Sequence, residues 1–271
     1  MRPLLLLLLL LVLASLTCAL TACANQAEPV ASGEPTPAAT PAPAEPAPEA
    51  TPEELKSNRW GTEGYITLEG ERYKVRWSDG DSFKFLEGPH EGSGVRLQGY
   101  NTLESYGPVH SWGRWSAEDL YAIAADGKNL AAEQNWSCTT DGSKDGYGRL
   151  LMDCPGVALH MIQAGHAHAF VFDGADRPKL VLAMRAAQKA KAGIWAHGVP
   201  TVLVTSLHSI DEGMNPAYNR VVDTNTGITV TREHTDTYTS CQKVCLDGPK
   251  GSCMTYVPFK NRYRNKPECL Q

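Results

Sequence analysis

The stretch that decides the fold is Asp79-Gly80-Asp81-Ser82-Phe83-Lys84-Phe85, followed by Val95-Arg96-Leu97-Gln98-Gly99-Tyr100-Asn101-Thr102-Leu103-Glu104. Asp-Gly ahead of alternating residues is hairpin chemistry, so a strand is predicted from Ser82. Val95-Arg96-Leu97 alternates in the same way and sends Arg96 to one face. Upstream, Gly64-Tyr65-Ile66-Thr67-Leu68 and Tyr73-Lys74-Val75-Arg76-Trp77 read as two more strands. Downstream, residues 111–124, 157–164 and 180–192 carry the apolar spacing of helices. Trp112, Trp115, Ala117 and Leu120 are expected to face the core from the first of them. Lys189 and Lys191 suit the C-terminal turn of the last. The pattern predicts a β-rich α+β chain.

Three acid- and arginine-bearing segments carry chemistry: the Asp79-Gly80-Asp81 turn, the run from Arg96 to Glu104, and Asp145-Gly146-Tyr147-Gly148-Arg149. A cation held by acids polarises a phosphate. Arginine forks match phosphate oxygens two at a time. A carboxylate beside them can take a proton from attacking water. Each residue alone has a plainer use. Asp81 can form a turn, Arg96 and Arg149 can sit in surface ion pairs, Glu104 can cap a helix, and Tyr147 is a packing or turn residue. The combination points to a phosphodiester site.

The order and spacing of these segments resemble the staphylococcal nuclease (thermonuclease) family over residues 72–197, a little under half of the chain. Tyr106-Gly107-Pro108 is similar to the approach to that family's first helix. Met161-Ile162-Gln163-Ala164-Gly165 is similar to its second helix and the glycine that ends it. The run from Ala186 to Trp195 is similar to its last helix, closed by Ile194-Trp195. The resemblance implies a five-stranded OB-type barrel with about three packed helices, and calcium-dependent cleavage of DNA and RNA. It implies Asp81, Asn101 and the Thr102 carbonyl as calcium ligands. Glu104 falls on the general base, and Arg96 and Arg149 on the phosphate-binding arginines. Asn101 departs from the family's aspartate and brings no charge, which weakens the expected calcium site. Leu103 replaces a proline usual there.

The flanks set the expected compartment. Residues 3–20 form a leucine-rich run after Arg2, and residues 1–22 read as a secretory signal. Leu20-Thr21-Ala22-Cys23 resembles a lipobox, which makes Cys23 the lipidated N-terminus and the membrane its partner. The alternative is ordinary cleavage near Ala22 or Ala24. Localisation is then the bacterial cell envelope, with the outer membrane favoured in a Gram-negative cell. Residues 23–56, rich in Ala, Pro, Glu and Thr, are expected to form a disordered acidic tether. The net charge of −5 comes largely from six tether glutamates, and the remainder is nearly neutral with 23 basic and 24 acidic residues. Bulk charge therefore gives no argument for nucleic acid, and any attraction is local.

Residues 57–198 are the expected nuclease-like domain of a monomer, and 199–271 a cysteine-rich β extension. Thr201-Val202-Leu203-Val204-Thr205 and Gly227-Ile228-Thr229-Val230-Thr231 are strand-like there. In an exported chain the remaining six cysteines read as disulfides. Cys138 and Cys154 flank the Arg149 hairpin, and a bridge between them would staple it. Cys241, Cys245, Cys253 and Cys269 leave three pairings open, with a structural zinc site as the competing use. From 241 onward six basic residues stand against two acidic ones, with Tyr256, Phe259 and Tyr263 among them. This composition suits either a single-strand binding surface or a solubilising one. His166 and His168, with His110 and His160, are read as packing or surface residues rather than metal ligands. Two rivals to a nuclease remain: a non-catalytic nucleic-acid-binding module weakened at Asn101, and an envelope interaction protein acting through its extension.

Overall fold

The computed structural model describes residues 57–58, 60–172, 174, 177–262 and 268–270, all within one unit of the chain. The leader, Cys23 and the tether lie outside the described residues. Among the described residues, no helix is long and apolar enough to cross a membrane.

The architecture is β-rich α+β. Strands β1 (Ser57–Asn58), β2 (Gly61–Leu68), β3 (Glu71–Trp77), β4 (Ser82–Phe85) and β5 (Gly94–Leu97) form a meander. Strand β6 (Tyr100–Thr102) and strand β7 (Val109–Ser111) follow, then helix α1 (Ala117–Ala132). Strand β8 (Asn135–Cys138) joins β2 and strand β9 (Leu150–Met152) joins β5, both in parallel. The main sheet thus has seven strands, against the five that the resemblance implies. It curls until β8 and β9 meet. Thr139 and Asp153 exchange two backbone hydrogen bonds of 2.9 Å there, and Cys138–Cys154 bridges the same corner.

Residues alternate because one face of the sheet is core. Val75, Trp77, Phe83, Phe85, Val95 and Leu97 are buried. Helices α1, α2 (Pro155–Gln163) and α3 (Pro178–Ala190) contribute Leu120, Val157, Met161, Ile162 and Met184 to the same core. The first helix starts later than residue 111. Ser116 caps it by accepting the Asp119 N–H at 3.1 Å. Trp112 and Trp115 precede it, each tied through Nε1 to a backbone carbonyl near residue 196: Gly198 at 3.0 Å and Ile194 at 2.7 Å. Spacing extended the helix over tryptophans that lie in the turn between β7 and α1, where Trp112 is buried and Trp115 partly so.

Strand β6 pairs with β10 (Ala167–Ala169), which places Asn101 opposite His168. Gly165 ends α2 and Gly193 follows α3, and these two backbones pack so closely that a Cβ on either would lie 2.3 Å from an opposing carbonyl oxygen. That contact explains the glycines at both positions, of which the family resemblance marked only Gly165, as a helix end.

The extension contains two small sheets. Strands β11 (Val202–Ser206), β12 (Ala217–Asp223) and β13 (Thr229–His234) form one. Strands β14 (Lys243–Cys245) and β15 (Cys253–Thr255) form the other, and β15 pairs with β7. Leu203 and Val222 enter the main core, while Val204, Leu207, Val221, Tyr238, Met254 and Tyr256 make a second one. The last four cysteines pair as Cys241–Cys269 and Cys245–Cys253, which uses up the thiols that a zinc site would need.

Candidate functional site

One cleft of about 920 Å³ is lined by Asp81, Arg96, Asn101, Thr102, Glu104 and Arg149, every site residue expected from the sequence. The turn from β3 to β4 supplies Asp79 and Asp81. A Cβ on Gly80 would lie 2.5 Å from Met161 Cε and 2.7 Å from Thr102 Cγ2, so a side chain there would make both neighbours shift, and glycine lets the turn seat directly on this floor. Tyr100 Oη donates to the Gly80 carbonyl at 2.7 Å and fixes the same turn from behind.

Asp81 is almost fully buried, and both its oxygens are occupied. Oδ1 accepts from the Arg96 guanidinium and from Ser82 Oγ at 3.0 Å. Oδ2 accepts the Thr102 N–H at 2.7 Å and the Thr102 Oγ1 hydroxyl at 3.0 Å. Burial pushes this carboxyl up, but Arg96, the Thr102 amide, Asp79 and Ser82 outweigh it and hold Asp81 below the usual carboxylate range. Asp79 moves the other way. Burial and the charge on Asp81 raise it well above that range. The same Arg96 guanidinium donates to Asn101 Oδ1, and Asn101 Nδ2 donates to the Thr102 carbonyl at 2.7 Å.

Glu104 lines the cleft beside this network. Burial and the charge on Asp81 raise its carboxyl, against the pull of Arg262, Arg96 and Arg220. Its backbone N–H donates to His110 Nε2 at 3.2 Å. His110 and His168 are buried behind the site and remain neutral: burial pushes them down to about 3 and about 4. His168 Nδ1 faces the Ala169 carbonyl at 2.9 Å. Both are packing residues, one of the two uses expected for them: His110 is buried on β7 and His168 on β10.

Arg149 reaches the rim of the cleft but points its guanidinium at Asp145, with Nε and Nη2 each 2.8 Å from Oδ2. Tyr147 is 74% exposed and lies beside that guanidinium. Asp145 also accepts the N–H groups of Tyr147 and Arg149, both at 2.9 Å, so the turn preorganises the arginine.

Three features of the cleft escaped the sequence reading. Phe170 and Phe172 stack with centroids 6.0 Å apart on one wall. The alternating Phe170-Val171-Phe172 was the available signal. Arg177 lines the cleft and pairs with Asp153 at 2.9 Å. Thr205, Ser206, His208 and Arg220 of the extension also line the cleft, which no local pattern announced, together with Phe259 and Arg262 from the basic and aromatic run after 241.

The donor set of Asp81, Asn101 and Thr102 is all oxygen, the kind that hard divalent cations take. Asp81 and Asn101 already converge on a positive charge, the Arg96 guanidinium. The residues therefore fit a cation in chemistry, with one formal charge among the three. Among the described residues, no trio of His, Cys, Asp or Glu donors converges in the cleft. In class, this is a β-rich α+β domain with an acid- and arginine-lined cleft. No family model matches the chain, and no curated protein matches it.

Proposed function

We propose that this chain is a calcium-dependent nuclease that hydrolyses phosphodiester bonds of DNA or RNA. The observation that carries the reading is the meeting of Asp81, Arg96, Asn101, Glu104 and Arg149 on one cleft. Nothing in their sequence separation requires it. Arg96 and Arg149 offer fork-shaped cations to a phosphate, the group they match best. Glu104, with a raised carboxyl, is suited to hold a proton taken from water during attack. The aromatic wall of Phe170 and Phe172 suits bases flanking that phosphate.

Asp81, Asn101 and the Thr102 carbonyl would hold calcium, which when bound supplies charge to polarise the phosphate. Before that, Arg96 has to leave the Asp81 and Asn101 oxygens, and an incoming phosphate gives it a partner of the same geometry. Arg149 exchanges Asp145 for phosphate in the same way. We read the curled sheet as an OB-type barrel, supported by the parallel β5–β9 pair and the corner where β8 meets β9. We place the domain at the cell envelope, lipid-anchored through Cys23 on the 23–56 tether, as a monomer.

A second reading has its own observation. Arg96 already neutralises Asp81 and engages Asn101, so the site is satisfied without a metal. On that reading the chain binds nucleic acid and does not cut it. Incubating the mature chain with DNA and RNA, with calcium or a chelator, separates the two. Calcium-dependent cleavage that vanishes in Glu104→Ala supports the nuclease. Retention of strands without cleavage supports the binding module, and neither behaviour overturns both.

A further inference from the structure

The extension wall carries polar atoms that nothing inside the protein satisfies. Ser206 Oγ, His208 Nε2 and Arg220 Nε are all buried, and none has a hydrogen-bond partner. They belong to one place. Ser206 and Arg220 are cross-strand partners in β11 and β12, at the irregularity that follows Val204. His208 lies two residues beyond Ser206, and all three line the cleft. Buried polar groups are normally paired, because an unpaired one costs about 1–3 kcal/mol. Three together on a cleft wall are therefore suited to a bound group.

The chemistry of that group follows from the donors and from what surrounds them. Arg220 brings a full positive charge, with its guanidinium 5.5 Å from the Phe172 ring centroid. Arg262 adds a second. It is held in place by donating to the carbonyls of Val257 at 3.0 Å and Leu207 at 3.1 Å. Its stem packs on the loop after Glu104: a Cβ on Gly107 would lie 2.8 Å from Arg262 Cγ. His208 is neutral, pushed down to about 4 by burial and by the two arginines, and it can donate without carrying charge. Of the acids nearby, Glu212 accepts at Oε1 from Tyr256 Oη at 2.8 Å and the Phe259 N–H at 2.9 Å, and holds Oε2 3.8 Å from His208 Nδ1. Glu104 feels the charge of both arginines while its own carboxyl is raised by burial. Two cations, a hydroxyl and an imidazole around unsatisfied atoms suit an oxyanion.

We infer that Ser206, His208, Arg220 and Arg262 form a second phosphate subsite, which binds the phosphodiester next to the one at Arg96. This rests on the nucleic-acid reading above and adds substrate length to it. The extension then acts as half of the binding cleft, and the preferred substrate is a strand of several nucleotides. The Phe172 ring, under Arg220, stands where a base between the two phosphates would stack.

The test measures binding by the full chain in chelator, using a single-stranded octanucleotide, a dinucleotide with one phosphodiester, and inorganic phosphate. The variants are Arg220→Met and the milder Ser206→Ala, which leaves the strand pairing intact. We expect Arg220→Met to weaken octanucleotide binding about tenfold and dinucleotide binding far less. The salt slope for the octanucleotide falls by about 0.7, the value for one lost contact on a single strand. Ser206→Ala gives a smaller loss with the same selectivity. Equal losses on both oligonucleotides, or no loss in either variant, overturn the subsite while leaving the nuclease reading standing. Inorganic phosphate bound through Arg220, with no gain of octanucleotide over dinucleotide, assigns the wall to free phosphate and also overturns it. A wild-type chain that binds neither oligonucleotide in chelator overturns the subsite, and the cleavage assay in calcium decides the nuclease reading separately.

Discussion

Asn101 donates from its side-chain amide to the Thr102 carbonyl at 2.7 Å, so two of the expected cation ligands are bonded to each other. An aspartate at position 101 cannot make that bond. It would free the carbonyl and add a second negative charge beside Asp81. Calcium affinity follows ligand charge and number. Asn101→Asp is expected to tighten calcium binding about tenfold or more by calorimetry, and to raise cleavage at limiting calcium. Unchanged affinity would show that the oxygens at 101 and 102 do not hold the ion.

Glu104 gives a pH signature of opposite sign to that of an ordinary paired acid. Burial and Asp81 raise its carboxyl, so the folded chain holds that proton more tightly than the unfolded chain does. The resulting stability is complete below the ordinary glutamate value of about 4.3 and is lost as pH rises through the raised value. Glutamine keeps the neutral form at every pH. Glu104→Gln is expected to melt with the wild type at pH 4 and above it at pH 8, while cleavage is lost. A variant that melts lower at pH 8 would contradict the burial argument.

The Cys138–Cys154 bridge closes a separation of 16 residues where the two outer strands of the curled sheet meet. A loop of that size contributes about 3 kcal/mol in the chain-entropy account. Replacing both cysteines by serine is expected to lower Tm by about 6–12 °C, at 2–4 °C per kcal/mol for a domain of this size. Because the bridge also closes the base of the Arg149 hairpin, KM should rise more than kcat falls. A Tm unchanged after both replacements would mean that the backbone bonds between Thr139 and Asp153 hold the corner alone.

Much of the cleft was legible because its residues lie on short-range patterns. Alternation around Val95-Arg96-Leu97 gave the strand, and glycine with acid gave the turn that aims Asp81. Two facts were hidden from any local reading. The Trp112 and Trp115 spacing mimics a helix face, yet their indole N–H groups are committed to carbonyls near residue 196. The wall formed by Ser206, His208 and Arg220 depends on long-range sheet pairing, and the extension has no periodic signal that says which face meets the cleft. The irregular cysteine spacing likewise left three pairings open, and strand register decided between them: Cys245 pairs directly opposite Cys253 in β14 and β15.

That register also governs what truncation does. Separate treatment of residues 199–271 would invite cutting the chain after 198. Strand β15 hydrogen-bonds to β7, whose His110 supports Glu104, and Leu203 and Val222 are fully buried in the main core. Removing the extension exposes an edge strand and two core contacts, and it deletes Arg220 and Arg262 from the lining of the cleft. Each buried aliphatic side chain lost costs about 2–5 kcal/mol, comparable with the whole stability of a domain. A chain ending at 198 is therefore expected to lose its cooperative melting transition and to aggregate on expression. A soluble, cooperatively melting truncation that retains Glu104-dependent cleavage would show instead that the extension is dispensable to both fold and site.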